Sequence, residues 1–77
     1  MLPFDVELDT SGLSCPMPLL KTKKTLNEMR MGQVLKIIST DTNALYDFPA
    51  FARQTGQALL DQQQIQNKCY FWIRKLS

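Results

Sequence analysis

The chain has 77 residues, 44% hydrophobic and 21% charged, with a formal net charge of +2. This describes one small globular domain, residues 1–77, that buries roughly 60% of the surface of its extended form and leaves no room for a cofactor domain beside a substrate domain. It contains no histidine, which excludes a Ser-His-Asp triad, a Cys-His pair and any imidazole metal ligand.

Phe4, Val6 and Leu8 alternate with Asp5, Glu7 and Asp9, the period-two pattern of a strand with one buried face. Asp9-Thr10-Ser11-Gly12 is a turn signal. From Pro16 to Met31 the pattern becomes helical: Leu19, Thr22 or Lys23, Leu26 and Met29 recur at three- and four-residue steps, and Leu20 widens the apolar stripe. Gly32 is expected as the C′ residue of this helix, with Arg30 in its last turn. Val34 to Thr40 is short, branched and apolar, the pattern of an interior strand. Asn43 to Thr55 reads as a helix interrupted at Pro49, with Asp47 capping the restarted piece and Gly56 closing it. Leu45, Phe48, Phe51 and Ala52 form its apolar face. The tail reads as a hairpin, with one arm beginning at Ala58–Asp61, a turn near Ile65-Gln66-Asn67, and a second arm over Lys68–Lys75. The second arm carries large rings on both faces, so its buried face is left open.

The order strand, helix, strand, helix, strand, strand predicts an α+β fold. Its simplest form is a two-layer α/β sandwich, with two helices on one face of a four-stranded mixed sheet and a right-handed first crossover. No run approaches 18 apolar residues, and the acidic residues at the start do not suit a signal peptide. The expectation is a cytoplasmic chain without membrane insertion, in which the two cysteines, Cys15 and Cys69, are free thiols. They are too few for a structural zinc site, and no metal or organic cofactor is expected.

Gly12-Leu13-Ser14-Cys15-Pro16-Met17-Pro18 is the stretch that core packing does not explain. With Cys15 as N-cap, Pro16 and Pro18 occupy first-turn positions where a missing N–H costs no helical bond. The prolines stiffen the platform under the sulfur and remove amides that would face it, so the helix end favours thiolate only mildly. Lys21 and Lys24 are candidates for added positive potential, and Leu13 and Met17 for docking. A rigid thiol without a proton-shuttling histidine suits thiol exchange or sulfur transfer, because thiolates attack sulfur directly. The alternative from spacing alone is a cysteine packed in the core.

Leu8-Asp9 followed by Gly12-Leu13-Ser14-Cys15-Pro16-Met17-Pro18 resembles the signature of the TusA/SirA-like family, small bacterial sulfur carriers with a Cys-Pro-x-Pro motif. Gly32, Asp41, Asp47-Phe48-Pro49, Phe51 and the aromatic end with Arg74 and Lys75 extend the resemblance over nearly the whole chain. It implies the same two-layer fold, similar to the C-terminal domain of translation initiation factor three. It also implies that Cys15 accepts sulfane sulfur as a persulfide, supported by Gly12, Leu13, Pro16 and Pro18. The implied partners are a cysteine desulfurase or other sulfur donor protein and a downstream acceptor protein. One branch leads to tRNA 2-thiouridine, with tRNA met only indirectly and no direct DNA binding. Ser14, where a basic residue is frequent, and Thr42, where proline is frequent, depart from that branch. The alternative reading is a non-catalytic regulatory or RNA/protein-binding module.

Overall fold

The computed structural model describes residues 2–77. The elements run β1 (Val6–Asp9), α1 (Met17–Glu28), β2 (Val34–Ser39), α2 (Ala44–Thr55), β3 (Ala58–Ile65) and β4 (Lys68–Arg74). They form one mixed sheet in the order β1-β2-β4-β3. β1 and β2 are parallel, with Val6 opposite Leu35 and Leu8 opposite Ile37, as a helical crossover requires. β2 and β4 are antiparallel, with Ile37 opposite Phe71 and Leu35 opposite Ile73. β3 returns along β4 through the two-residue turn Gln66-Asn67, with a bulge between Leu59 and Asp61.

The core lies between one sheet face and the helices. Leu35 and Ile37 of β2 and Cys69, Phe71 and Ile73 of β4 meet Leu26 of α1 and Ala44 and Phe48 of α2. Phe48 stacks on Phe71 at a centroid distance of 4.5 Å. This geometry adds to the gain from burying both rings. β2, read as interior from its branched apolar run, is interior, flanked by β1 and β4.

The opposite face resolves the ambiguity of the rings in β4. Trp72 points away from the helices yet is 0% exposed, because Lys36 and Phe4 lie over that face. The Lys36 ammonium is 5.1 Å from the Phe4 ring centroid, 5.5 Å from Tyr70 and 5.9 Å from Trp72. It also pairs with Glu7 at 3.5 Å. The aliphatic stem of Lys36 thus covers an aromatic surface while three ring faces and a carboxylate hold its charge.

Both helices depart from the expected ends. α1 stops at Glu28 with Met29 as C-cap, so Gly32, at φ 87°, belongs to the following turn, and Arg30 lies beyond the helix. The cation at the helix end is Lys75, whose ammonium donates to the carbonyl oxygens of Leu26 at 2.6 Å and Met29 at 2.9 Å. Sequence distance hid this cap. Leu20 does not widen the buried stripe and is 53% exposed. α2 is continuous through Pro49. Its N-cap is Asn43, so Asp47 is inside the first turn and caps nothing. Packing of Ala44, Phe48 and Ala52 into the core outweighs the backbone bond that proline removes. Gly56, in the left-handed region at φ 75°, ends the helix as expected.

Candidate functional site

Parallel pairing of β1 and β2 places their carboxyl ends side by side, so the loops that follow open on the same edge of the sheet. The β1–α1 loop carries Cys15, and the β2–α2 loop carries Asp41 and leads to Asp47. The loops are tied together by hydrogen bonds. Thr10 Oγ1 donates to the Ile38 carbonyl at 2.6 Å, and the Gly12 N–H donates to Thr40 Oγ1 at 2.8 Å. The Cys15 N–H donates to Asp41 Oδ2 at 2.8 Å. The other oxygen of Asp41 accepts the Asn43 N–H at 3.0 Å, so one carboxylate fixes both the cysteine and the start of α2. Gly12 has φ 83°, a left-handed conformation that a side chain disfavours, which explains why glycine stands where the loop turns.

Cys15 is exposed and Cys69 is buried, and both are free. Cys69 packs in the core at 1% exposure and does not share the surface on which Cys15 is presented. The Cys15–Pro16 peptide is cis. The N-cap of α1 is Pro16 rather than Cys15, with Met17 and Pro18 at the first two helical positions. The shift of one residue has a chemical result. Pro16 and Pro18 have no N–H, and the Met17 N–H donates to the Ser14 carbonyl at 2.9 Å. Little of the usual anion-binding end of a helix remains for the sulfur.

A cavity of about 10 Å³, near the size one water occupies, lies beneath Cys15 and is lined by Pro18, Leu19, Asp41, Ala44, Asp47 and Phe48. Partial desolvation in this setting raises the Cys15 thiol above its ordinary range, and the Asp47 and Asp41 carboxylates raise it further. The mild thiolate bias expected from the helix end is therefore reversed. Lys21 and Lys24 are exposed on α1 and do not figure among the groups that set the thiol. From the sequence Asp47 is expected as a helix cap and Asp41 enters through the family resemblance, so neither is expected beside the sulfur. An acid just past a strand parallel to the cysteine's own strand was the available signal.

Exposed and half-buried apolar side chains stand on the two loops and helices that carry the site. Met17 is 42% exposed, Leu13 is half-buried, and Tyr46 at the start of α2 is exposed.

The family model described as Sulfurtransferase TusA matches residues 6–75. The chain belongs to this family. It is 52% identical to the sulfur carrier protein TusA of Allochromatium vinosum over 75 residues, covering 97% of this chain and 99% of that one. It is 41% identical to the TusA of Pseudomonas entomophila, covering 96% and 92% of the two chains. A crystal structure of a SirA-like protein from Desulfitobacterium hafniense superposes with a TM-score of 0.82 at 19% identity, covering 95% of this chain and all of that one. That likeness shows the fold. TusA-family membership supports a sulfur-carrier role. Among the described residues no helix is long and apolar enough to cross a membrane.

Proposed function

We propose that Cys15 accepts sulfane sulfur as a persulfide and delivers it to an acceptor protein. The carrying observation is an exposed thiol on a loop pinned by the Asp41 carboxylate at 2.8 Å, in a chain of the TusA family. Loading needs no group beyond the sulfur itself. Cys15 Sγ attacks the outer sulfur of a donor persulfide and the donor cysteine leaves as its thiol. The donor is a cysteine desulfurase or another protein that bears a persulfide, and unloading repeats the step in reverse roles. Leu13, Met17, Leu20 and Tyr46 offer apolar contact around the thiol, and Lys21 and Lys24 favour an acidic rim on the partner. Gly12, Pro16 and Pro18 shape the loop. A relay ending in tRNA 2-thiouridine places this chain upstream of the RNA, in contact with proteins only.

The test is transfer of labelled sulfur. Purified protein incubated with a desulfurase and labelled cysteine should gain one sulfur atom on the peptide that holds Cys15, and C15S should gain none. Absence of label on Cys15 with several competent donors overturns the proposal. An RNA-binding module is the weaker reading, because Trp72, the largest ring for base stacking, is fully buried.

A further inference from the structure

We propose that Asp47 and Asp41 hold the unloaded Cys15 as a neutral thiol, whereas the outer sulfur of its loaded form ionises more readily. The protonation half of this inference stands on the geometry of the site; its consequence for transfer rests on the persulfide reading above.

Three structural facts point the same way. Both carboxylates line the cavity beneath Cys15, and Asp41 is oriented by the N–H groups of Cys15 and Asn43. The side that usually stabilises a thiolate is largely dismantled, since prolines occupy the N-cap and the second helical position of α1 and the Met17 N–H is turned to Ser14. No cation offsets the acids: among the described residues the ion pair found is Lys36 with Glu7, and the α1 lysines Lys21, Lys23 and Lys24 are exposed without an ion pair to Asp41 or Asp47. On β4, Cys69 lies in the core and is a thiol raised by burial and then by Asp41, so it brings no positive charge to the site. The direction found for Cys15 agrees with this arrangement.

The chemistry then separates the two forms of the carrier. A persulfide is a stronger acid than its parent thiol, because the second sulfur disperses the charge. Its charge also sits on the outer sulfur, about 2 Å further out by the length of an S–S bond. The carboxylates that suppress the thiolate therefore act more weakly on the loaded form. In loading, a bond forms between Cys15 Sγ and the donor's outer sulfur as the donor's S–S bond breaks. The proton that Cys15 gives up ends on the donor's leaving thiolate, which departs as a thiol. Cys15 sulfur is oxidised and the donor's cysteine sulfur is reduced, so no outside oxidant is needed. An unloaded carrier held in this way resists exchange with small disulfides, in which its thiolate would attack one disulfide sulfur and release the other as a thiol.

The test is the pH profile of iodoacetamide alkylation at Cys15, read on its own peptide by mass spectrometry, in unloaded wild type, D47N and D47E. This readout needs no sulfur donor, so it decides the electrostatic claim separately from the carrier function. D47N should alkylate faster by roughly threefold or more near neutral pH, with the profile moved to lower pH and the alkaline plateau unchanged. D47E should stay close to wild type. Matching far-ultraviolet circular dichroism shows that the fold is kept. For the second half, protein loaded by a desulfurase should alkylate at the outer sulfur with a profile that D47N shifts less than it shifts the thiol. Superimposed thiol profiles for wild type and D47N overturn the proposal. Equal shifts in both forms overturn the claimed distinction between thiol and persulfide.

Discussion

Asp41 Oδ2 accepts the backbone N–H of Cys15 at 2.8 Å from 26 positions along the chain. The bond crosses from the β2–α2 loop to the β1–α1 loop and sets where the sulfur stands. Replacing Asp41 with Ala should release the Cys15 and Asn43 amides together, since the same carboxylate holds both. The expected result is faster hydrogen exchange at those two amides and slower sulfur uptake. The stability loss should be about 1 kcal/mol, because the bond lies at the surface. Asn at this position keeps an acceptor oxygen and should restore most of the protection. Unchanged exchange at Cys15 in D41A would show that the loop holds its shape without the carboxylate.

Lys36 gives a prediction with a built-in reporter, because the chain has one tryptophan and Lys36 lies over it. Wild-type emission should be blue-shifted, as befits a ring with no exposed surface. Lys36→Met keeps the stem and removes the charge, losing the contacts to the rings and to the half-exposed Glu7, about 1 kcal/mol. Lys36→Ala also removes the cover from the ring. It should destabilise by roughly 2 kcal/mol and shift the emission to the red. Equal emission maxima for K36A and wild type would contradict Lys36 as the cover of Trp72.

Lys75 closes α1 from the far end of the chain, with bonds of 2.6 and 2.9 Å to two terminal carbonyls. Charge-assisted bonds to a helix end contribute more than neutral ones. Lys75→Met should therefore cost about 1–2 kcal/mol in urea denaturation and fray the last turn of α1, visible as increased hydrogen exchange there. R30A, which removes a cation beyond the helix, should leave α1 unaffected. The opposite ranking would restore the assignment made from sequence spacing.

Stability should fall at both ends of the pH scale. Burial and then Asp41 push Cys69 above its ordinary value of 9.0. Cys15 is raised by partial desolvation, then by Asp47 and Asp41. The folded state holds these thiol protons more tightly than the unfolded chain does. Stability is therefore unaffected below the ordinary value and declines as pH climbs past it toward the folded values. Asp9 behaves in the opposite sense, held below 3.8 by the Ser11 side chain and backbone. Its contribution is present above 3.8 and lost as pH falls toward the lower folded value. Urea midpoints from about pH 3 to about pH 10 should trace a plateau with two falling shoulders, and C15S should soften only the alkaline one. An alkaline shoulder identical in C15S would remove Cys15 from the account.

The element order was legible because each segment keeps one hydrophobic period. Phe4, Val6 and Leu8 alternate, Leu19, Thr22 or Lys23, Leu26 and Met29 follow helical steps, and Val34 to Thr40 is apolar enough for an interior strand. Cys15 stands out in the sequence between a turn and two prolines, but spacing alone leaves a core-packed cysteine open, and it is the fold that exposes it. The helix ends were less legible. Local spacing favoured Arg30 and Gly32 at the end of α1, but Lys75 arrives from the end of the chain. Local spacing favoured a break at Pro49, but the burial of Phe48 and Ala52 keeps α2 whole.

The sequence by itself determined that this chain is a two-layer α+β domain with a cysteine at the entry to its first helix, because periodicity and turn chemistry are local properties. Only the tertiary structure decided the character of that thiol. The parallel pairing of β1 and β2 brings Asp41 and Asp47 to the sulfur from another loop and helix, and partial desolvation followed by these two carboxylates, rather than the lysines nearest in sequence, raises the thiol.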